Sequence, residues 1–132
     1  MANGLVFTTN GRKVVLNRAF KAVPDYTAPT VIKVGTGTTT PAISDTDLAT
    51  AISIGGSSTK ALVSGYPTLD ESSMVATFRS LINTTECNST TLTEYGLFNT
   101  DASALMLTRM VFTGISKSDS LQVIFVEKDI IE

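Results

Sequence analysis

Leu92-Thr93-Glu94-Tyr95-Gly96-Leu97-Phe98-Asn99, the polar step Thr100-Asp101-Ala102-Ser103, and then Ala104-Leu105-Met106-Leu107-Thr108-Arg109-Met110-Val111-Phe112-Thr113 form the most informative stretch of this chain. Two apolar runs separated by a short Asn/Asp/Ser segment are the pattern of a β-hairpin. In the second run Leu105, Leu107 and Val111 alternate with Met106, Met110 and Phe112, so both faces are apolar. A strand with two apolar faces has to be covered twice. Either a second sheet or a neighbouring subunit must provide that cover, and subunit contact is the expectation adopted here.

Outward from this hairpin the pattern stays mainly β. Leu121 to Val126 reads as a last strand running into a mixed tail, Glu127 to Glu132, and Met74 to Ile82 alternates Met74, Ala76, Phe78 with Val75, Thr77, Arg79. Lys60 to Tyr66 reads as a strand, joined to the next by a polar connection through Pro67 and Asp70-Glu71-Ser72-Ser73. Thr30-Val31-Ile32-Lys33-Val34 is a β-branched run ending in the loop Gly35-Thr36-Gly37-Thr38-Thr39-Thr40-Pro41. Ser44-Asp45-Thr46-Asp47 could cap a helical turn through Leu48, Ala49 and Ala51, with a strand over Thr50, Ile52 and Ile54 as the alternative.

One segment has helical spacing. After the short run Leu5-Val6-Phe7-Thr8, Asn10 is placed to cap a helix from Gly11 to about Ala22 in which Val15, Leu16, Ala19, Phe20 and Val23 share a face. Lys13, Arg18 and Lys21 stay off that face, and Pro24 supplies a stop. The expected fold class is α+β, mainly β: an antiparallel sheet or small sandwich with one amphipathic helix near the N-terminus. At 132 residues the chain reads as a single structural or assembly domain, 1–132, with neither repeats nor a splitting linker.

Composition narrows the functional classes. The chain is 42% hydrophobic and 17% charged, which suits a folded domain, and its 21 threonines and 13 serines favour strands with polar outer faces. A net charge of −2 with scattered cations gives no basic surface for nucleic acid. No apolar block of 18 residues suggests a membrane span, and the first twenty residues lack the apolar core of a signal peptide. Synthesis in a cytoplasm is therefore expected, and the sequons at Asn83 and Asn88 are expected to stay unmodified.

Residues for chemistry are sparse. Without histidine no Cys/His zinc cluster can form, and the single Cys87 has no partner for an internal disulfide. Cys87 also lacks a base, and the adjacent Glu86 opposes thiolate formation. The loop from Gly35 lacks the lysine of a phosphate cradle. Asp45 with Asp47 and Asp70 with Glu71 are local carboxylate pairs without calcium-loop spacing. The expectation is a chain without catalytic residues, cofactor, metal or small-molecule substrate.

Three stretches in order resemble the amino-terminal, baseplate-docking domains of phage tail-collar and tail-fibre proteins. They are Phe7-Thr8-Thr9-Asn10-Gly11-Arg12 leading into the helix, Ile32-Lys33-Val34-Gly35-Thr36-Gly37, and Leu92-Thr93-Glu94-Tyr95-Gly96-Leu97-Phe98-Asn99 followed by Leu105-Met106-Leu107-Thr108-Arg109. Their order and spacing span nearly the whole chain. Asp101-Ala102-Ser103 departs from the family's usual Asp-Gly turn, and the chain ends at Glu132 where fibres continue into a shaft.

The resemblance implies a virion structural protein of the tail or baseplate: an adaptor, a baseplate component or a short fibre base. It would be a homo-oligomer, expected to be a trimer, contacting other virion proteins. A head decoration protein and a receptor- or carbohydrate-binding module are the alternatives, the last disfavoured by the absence of tryptophan. Candidate interface residues are Glu94, Tyr95, Phe98, Met110, Phe112 and Phe125. Glu94 has a second reading as a carboxylate solvated or hydrogen-bonded to a nearby loop. Tyr95, Phe98 and Phe112 have one as core aromatics.

Overall fold

The computed structural model describes residues 4–132, and the expected fold class holds: two antiparallel sheets and one helix near the N-terminus. The hairpin pairs β7 (Thr90–Phe98) with β8 (Met106–Lys117), in a register that sets Gly96 opposite Arg109 and Tyr95 opposite Met110. Around it lie β1 (Leu5–Phe7) on the outer edge of β8 and β2 (Val31–Gly35) on the far side of β7. The other edge of β2 is shared end to end by β3 (Ala51–Ile52) and β4 (Lys60–Ala61). A second sheet has the order β5 (Thr68–Asp70), β6 (Val75–Ile82), β9 (Val123–Ile130).

The second sheet supplies one of the two covers that the hairpin demands. Ile32, Val34, Leu92, Tyr95 and Leu97 of the first sheet meet Phe78, Ile82, Val123 and Phe125 of the second in one buried cluster. The opposite face of the hairpin is covered by the helix α1 (Thr9–Phe20) over β8 and by the segment 36–50, whose Leu48 packs on Phe98 and Met106. For Met106 to Arg109 the chain itself supplies both covers, in place of the expected subunit contact, whereas Met110, Val111 and Phe112 are only half-buried. A 132-residue chain manages this because a Thr-rich loop without regular structure acts as part of the third layer.

Several element boundaries differ from expectation. The helix runs Thr9–Phe20 rather than Gly11 to Ala22, and its N-cap is Thr8 instead of Asn10. Thr8 is fixed by β8: its N–H donates to Leu107 O at 2.9 Å, its Oγ1 donates to Met106 O at 2.5 Å, and the same oxygen accepts from Gly11 N at 2.9 Å. Gly11 then lies so close to the Leu107 backbone that any Cβ would overlap it. This contact sets the rotation of the helix. Gly11 and Val14 face inward, and Leu16 and Phe20, of the apolar face that the spacing defines, are 63% and 83% exposed.

Gly11→Ala is therefore expected to push α1 off β8 and destabilise the fold by about 1–3 kcal/mol, although alanine is the better helix former. Urea denaturation checks this, and an unchanged or raised midpoint would contradict the close approach.

The turn expected through Leu48, Ala49 and Ala51 is not helical; the alternative strand is present as β3. Lys60 to Tyr66 pairs only through Ala61, because the chain then crosses between sheets: Leu62 N donates to Thr30 O on the first and Val63 N to Arg79 O on the second. The polar connection after Pro67 contains β5, paired with β6 from Thr68 to Asp70, and β9 continues into the expected tail as far as Ile130.

Candidate functional site

The second and third of the resembling stretches meet at Glu94. Its carboxylate lies fully buried on the hairpin face turned to the 36–50 segment, where Oε1 accepts from Gly37 N (3.0 Å) and Thr50 N (2.7 Å) and Oε2 from Ala49 N (3.0 Å). Arg109, on the neighbouring strand, donates from Nη2 to Oε2 at 2.9 Å and from Nη1 to Asp45 at 2.9 Å. One carboxylate thus ties two ends of a loop to the sheet. Burial works against ionisation of Glu94, but the hydrogen bonds from Thr50, Arg109, Ala49 and Gly37 outweigh it and hold its pKa below the ordinary value.

The local sequence explains why this clamp fits. Gly35 and Gly37 present no side chains, and a Cβ on either would collide with the Glu94 carboxylate. Asp45 accepts from Ala42 N at 2.9 Å, which closes a turn in the loop instead of capping a helix. Asp47 pairs with Lys33, whose ammonium sits 4.5 Å from the centre of the Phe98 ring.

A second buried polar group lies between the sheets. Tyr95 Oη donates to Glu127 Oε2 at 2.8 Å and Thr108 Oγ1 to the same oxygen at 3.0 Å. Glu127 Oε1 is buried with no donor among the described residues, and Asp129, two residues along the same face of β9, is the neighbouring carboxyl. Protonation of either acid would provide a donor between them. Burial pushes Glu127 up to about 8, reinforced by the charge of Asp129, and it raises Asp129 as well.

The sign follows from linkage. A carboxyl whose folded pKa lies above its unfolded one contributes stability in full below the unfolded value and loses it as pH rises through the folded value. Stability of the native chain is thus expected to fall between about pH 4.5 and about 8. Glu127→Gln should flatten that slope, as read from urea midpoints at the two ends of the window. An equal slope in both proteins would show that Glu127 ionises freely.

The third feature is on the surface. Between α1 and the second sheet, along the β1 edge, runs an open groove of about 880 Å³ lined by Phe7, Val14, Val15, Leu69, Met74 and Ile130, among others. Leu69, Met74, Ile130 and Ile131 are all exposed, and the outward side of α1 adds Leu16 and Phe20. Large apolar side chains grouped in this way are uncommon on the surfaces of soluble monomers.

The candidate interface residues are distributed unevenly over these features. Glu94, Tyr95, Phe98 and Phe125 are buried inside the chain, in the clamp and the core. Met110 and Phe112 are half-buried at the margin of the main cluster, where Phe112 packs on Phe125 with ring centres 5.6 Å apart. Arg109 and Glu127 were not singled out as site residues in the sequence, and Asp45 was read there as a helix cap and a carboxylate pair with Asp47. The available signal was the charge of Arg109 and Glu127 at inward positions of otherwise apolar strands.

Cys87 is half-buried, and burial and then Glu86 push its thiol pKa up, in line with an unactivated residue. Glu86 itself accepts from Lys60 at 2.6 Å and from Asn83 N at 2.9 Å, tying its turn to β4. Comparison of the chain with family models, with curated proteins and with solved structures returns no match.

Proposed function

We propose that this chain is a structural component of a bacteriophage particle, a docking module of the tail or baseplate that works through protein–protein contacts and carries out no catalysis. The observation that carries this reading is the apolar surface formed by the groove and the outward side of α1, left open by the described residues. Exposed apolar surface of this extent on a folded domain calls for a protein partner.

The disposition of the resembling stretches adds support. Thr8 of the first binds the backbone of Met106 and Leu107 in the third, and Gly37 of the second binds Glu94 of the third. Motifs that are weak singly are joined by hydrogen bonds into one framework, as expected if they specify a common fold. The buried charges serve that framework: Glu94, Arg109 and Asp45 are occupied with one another and with loop backbone, leaving the outer surface to make contacts.

Antibody raised against the full chain and applied to purified particles of the encoding phage tests this reading by electron microscopy. Label at the tail tip or baseplate is the expected result. Label on the head would replace the tail assignment with head decoration, and particles free of the protein would overturn a virion role.

A further inference from the structure

We infer that the partner of the groove is a second copy of this chain, which inserts the outward side of its α1 helix there, head to tail. The inference rests on the assembly role proposed above and names its contact. Arg12, Leu16, Phe20 and Lys13 fall side by side on the helix surface turned away from the molecule's own core, since Gly11 and Val14 are the positions it buries. Leu16 and Phe20 are one turn apart, the spacing with which a helix anchors itself in an apolar groove.

Charge favours this occupant. The helix contains Arg12, Lys13 and Arg18 and no carboxylate of its own; Arg12 and Lys13 flank the exposed anchors Leu16 and Phe20, and the Asp25 carboxylate held against its C-terminal end is paired with Lys21. The groove has the opposite bias at its rim, where Asp70, Glu71 and Glu132 are exposed and hydrogen bonds from Ser73 and Ser72 hold Asp70 firmly ionised. Two cations also lie along it, Lys128 and Arg18, the latter donating to Tyr26 O at 2.6 Å, so the three exposed carboxylates outnumber them. A basic, apolar helix meeting an acid-rimmed apolar groove is complementary in both respects.

The two surfaces lie at different places on one molecule, so the contact is heterologous: each copy offers its helix to one neighbour and its groove to another. Repetition of such a contact closes a ring when the rotation permits. A three-membered ring would give the trimer expected from the sequence.

Sedimentation equilibrium of the full chain over a range of concentrations tests the inference, with circular dichroism as the control for folding. Leu16→Glu and Phe20→Glu replace exposed residues, so each variant should keep the native spectrum while its association weakens at least about tenfold, the factor implied by losing one buried apolar anchor. Arg12→Glu with Lys13→Glu should also weaken association. Adding Glu71→Lys and Glu132→Lys to that same chain should restore it, which loss of structure could not do.

A native chain that stays monomeric overturns the inference. So does a Phe20→Glu variant that assembles with undiminished strength, or a reversed helix that the reversed rim does not rescue. These outcomes separate from the particle experiment: a monomer found in the tail would leave the virion role standing without this contact, and an oligomer absent from particles would do the reverse.

Discussion

Replacing Glu94 with alanine is expected to destabilise the protein by about 3–5 kcal/mol, the cost of leaving a buried partner charge unpaired. Arg109 would keep only Asp45, and the N–H groups of Gly37, Ala49 and Thr50 would lose their acceptor. Urea denaturation with two spectroscopic probes measures the change. A loss below about 1 kcal/mol would put Glu94 among ordinary surface carboxylates and remove the clamp from the account.

A double replacement sharpens the test. Exchanging the pair together, Glu94→Leu with Arg109→Met, removes both charges and should cost less than the two single changes added, because neither is left buried alone. The pH dependence has a definite sign. With its folded pKa lowered, Glu94 contributes stability above the unfolded carboxylate value and loses it as pH falls through the folded one, the reverse of Glu127. The native chain should therefore be most stable in mildly acidic solution, with decline on both sides.

Phe125→Ala is expected to cost about 3–5 kcal/mol, the range for truncating a buried aromatic side chain. Its ring stacks on Tyr95 with centres 5.0 Å apart and also meets Phe112, so its loss opens a cavity where the two sheets join. Phe112→Ala should cost less, since that side chain is only half-buried, and Thr39→Ala, on the exposed loop, should change nothing measurable. The loss should be independent of protein concentration, because Phe125 packs within one chain. A concentration-dependent loss would return Phe125 to an interface between copies.

The hairpin, the helix and the mainly β class were legible because they depend on local repetition: apolar alternation in β7 and β8, helical spacing after Thr8. Glu94 was legible as a choice between a loop contact and an interface anchor. Its loop donors, Gly37, Ala49 and Thr50, lie 57, 45 and 44 residues away in the chain, beyond any local pattern. The helix illustrates the opposite error. Its periodicity picked out an apolar stripe, but Gly11 against Leu107 turned Leu16 and Phe20 of that stripe toward solvent.

By itself, then, the sequence determined what local energetics can determine: where strands and helix form, and that the hairpin must be covered on both faces. Tertiary structure decided what covers those faces, namely a second sheet and a loop pinned by Glu94 and Arg109. It also decided which way α1 turns and that Glu127 is buried beside Asp129. These are outcomes of long-range packing, in which one backbone approach or one buried charge has to be satisfied by residues dozens of positions away. No spacing along the chain encodes which residues those are.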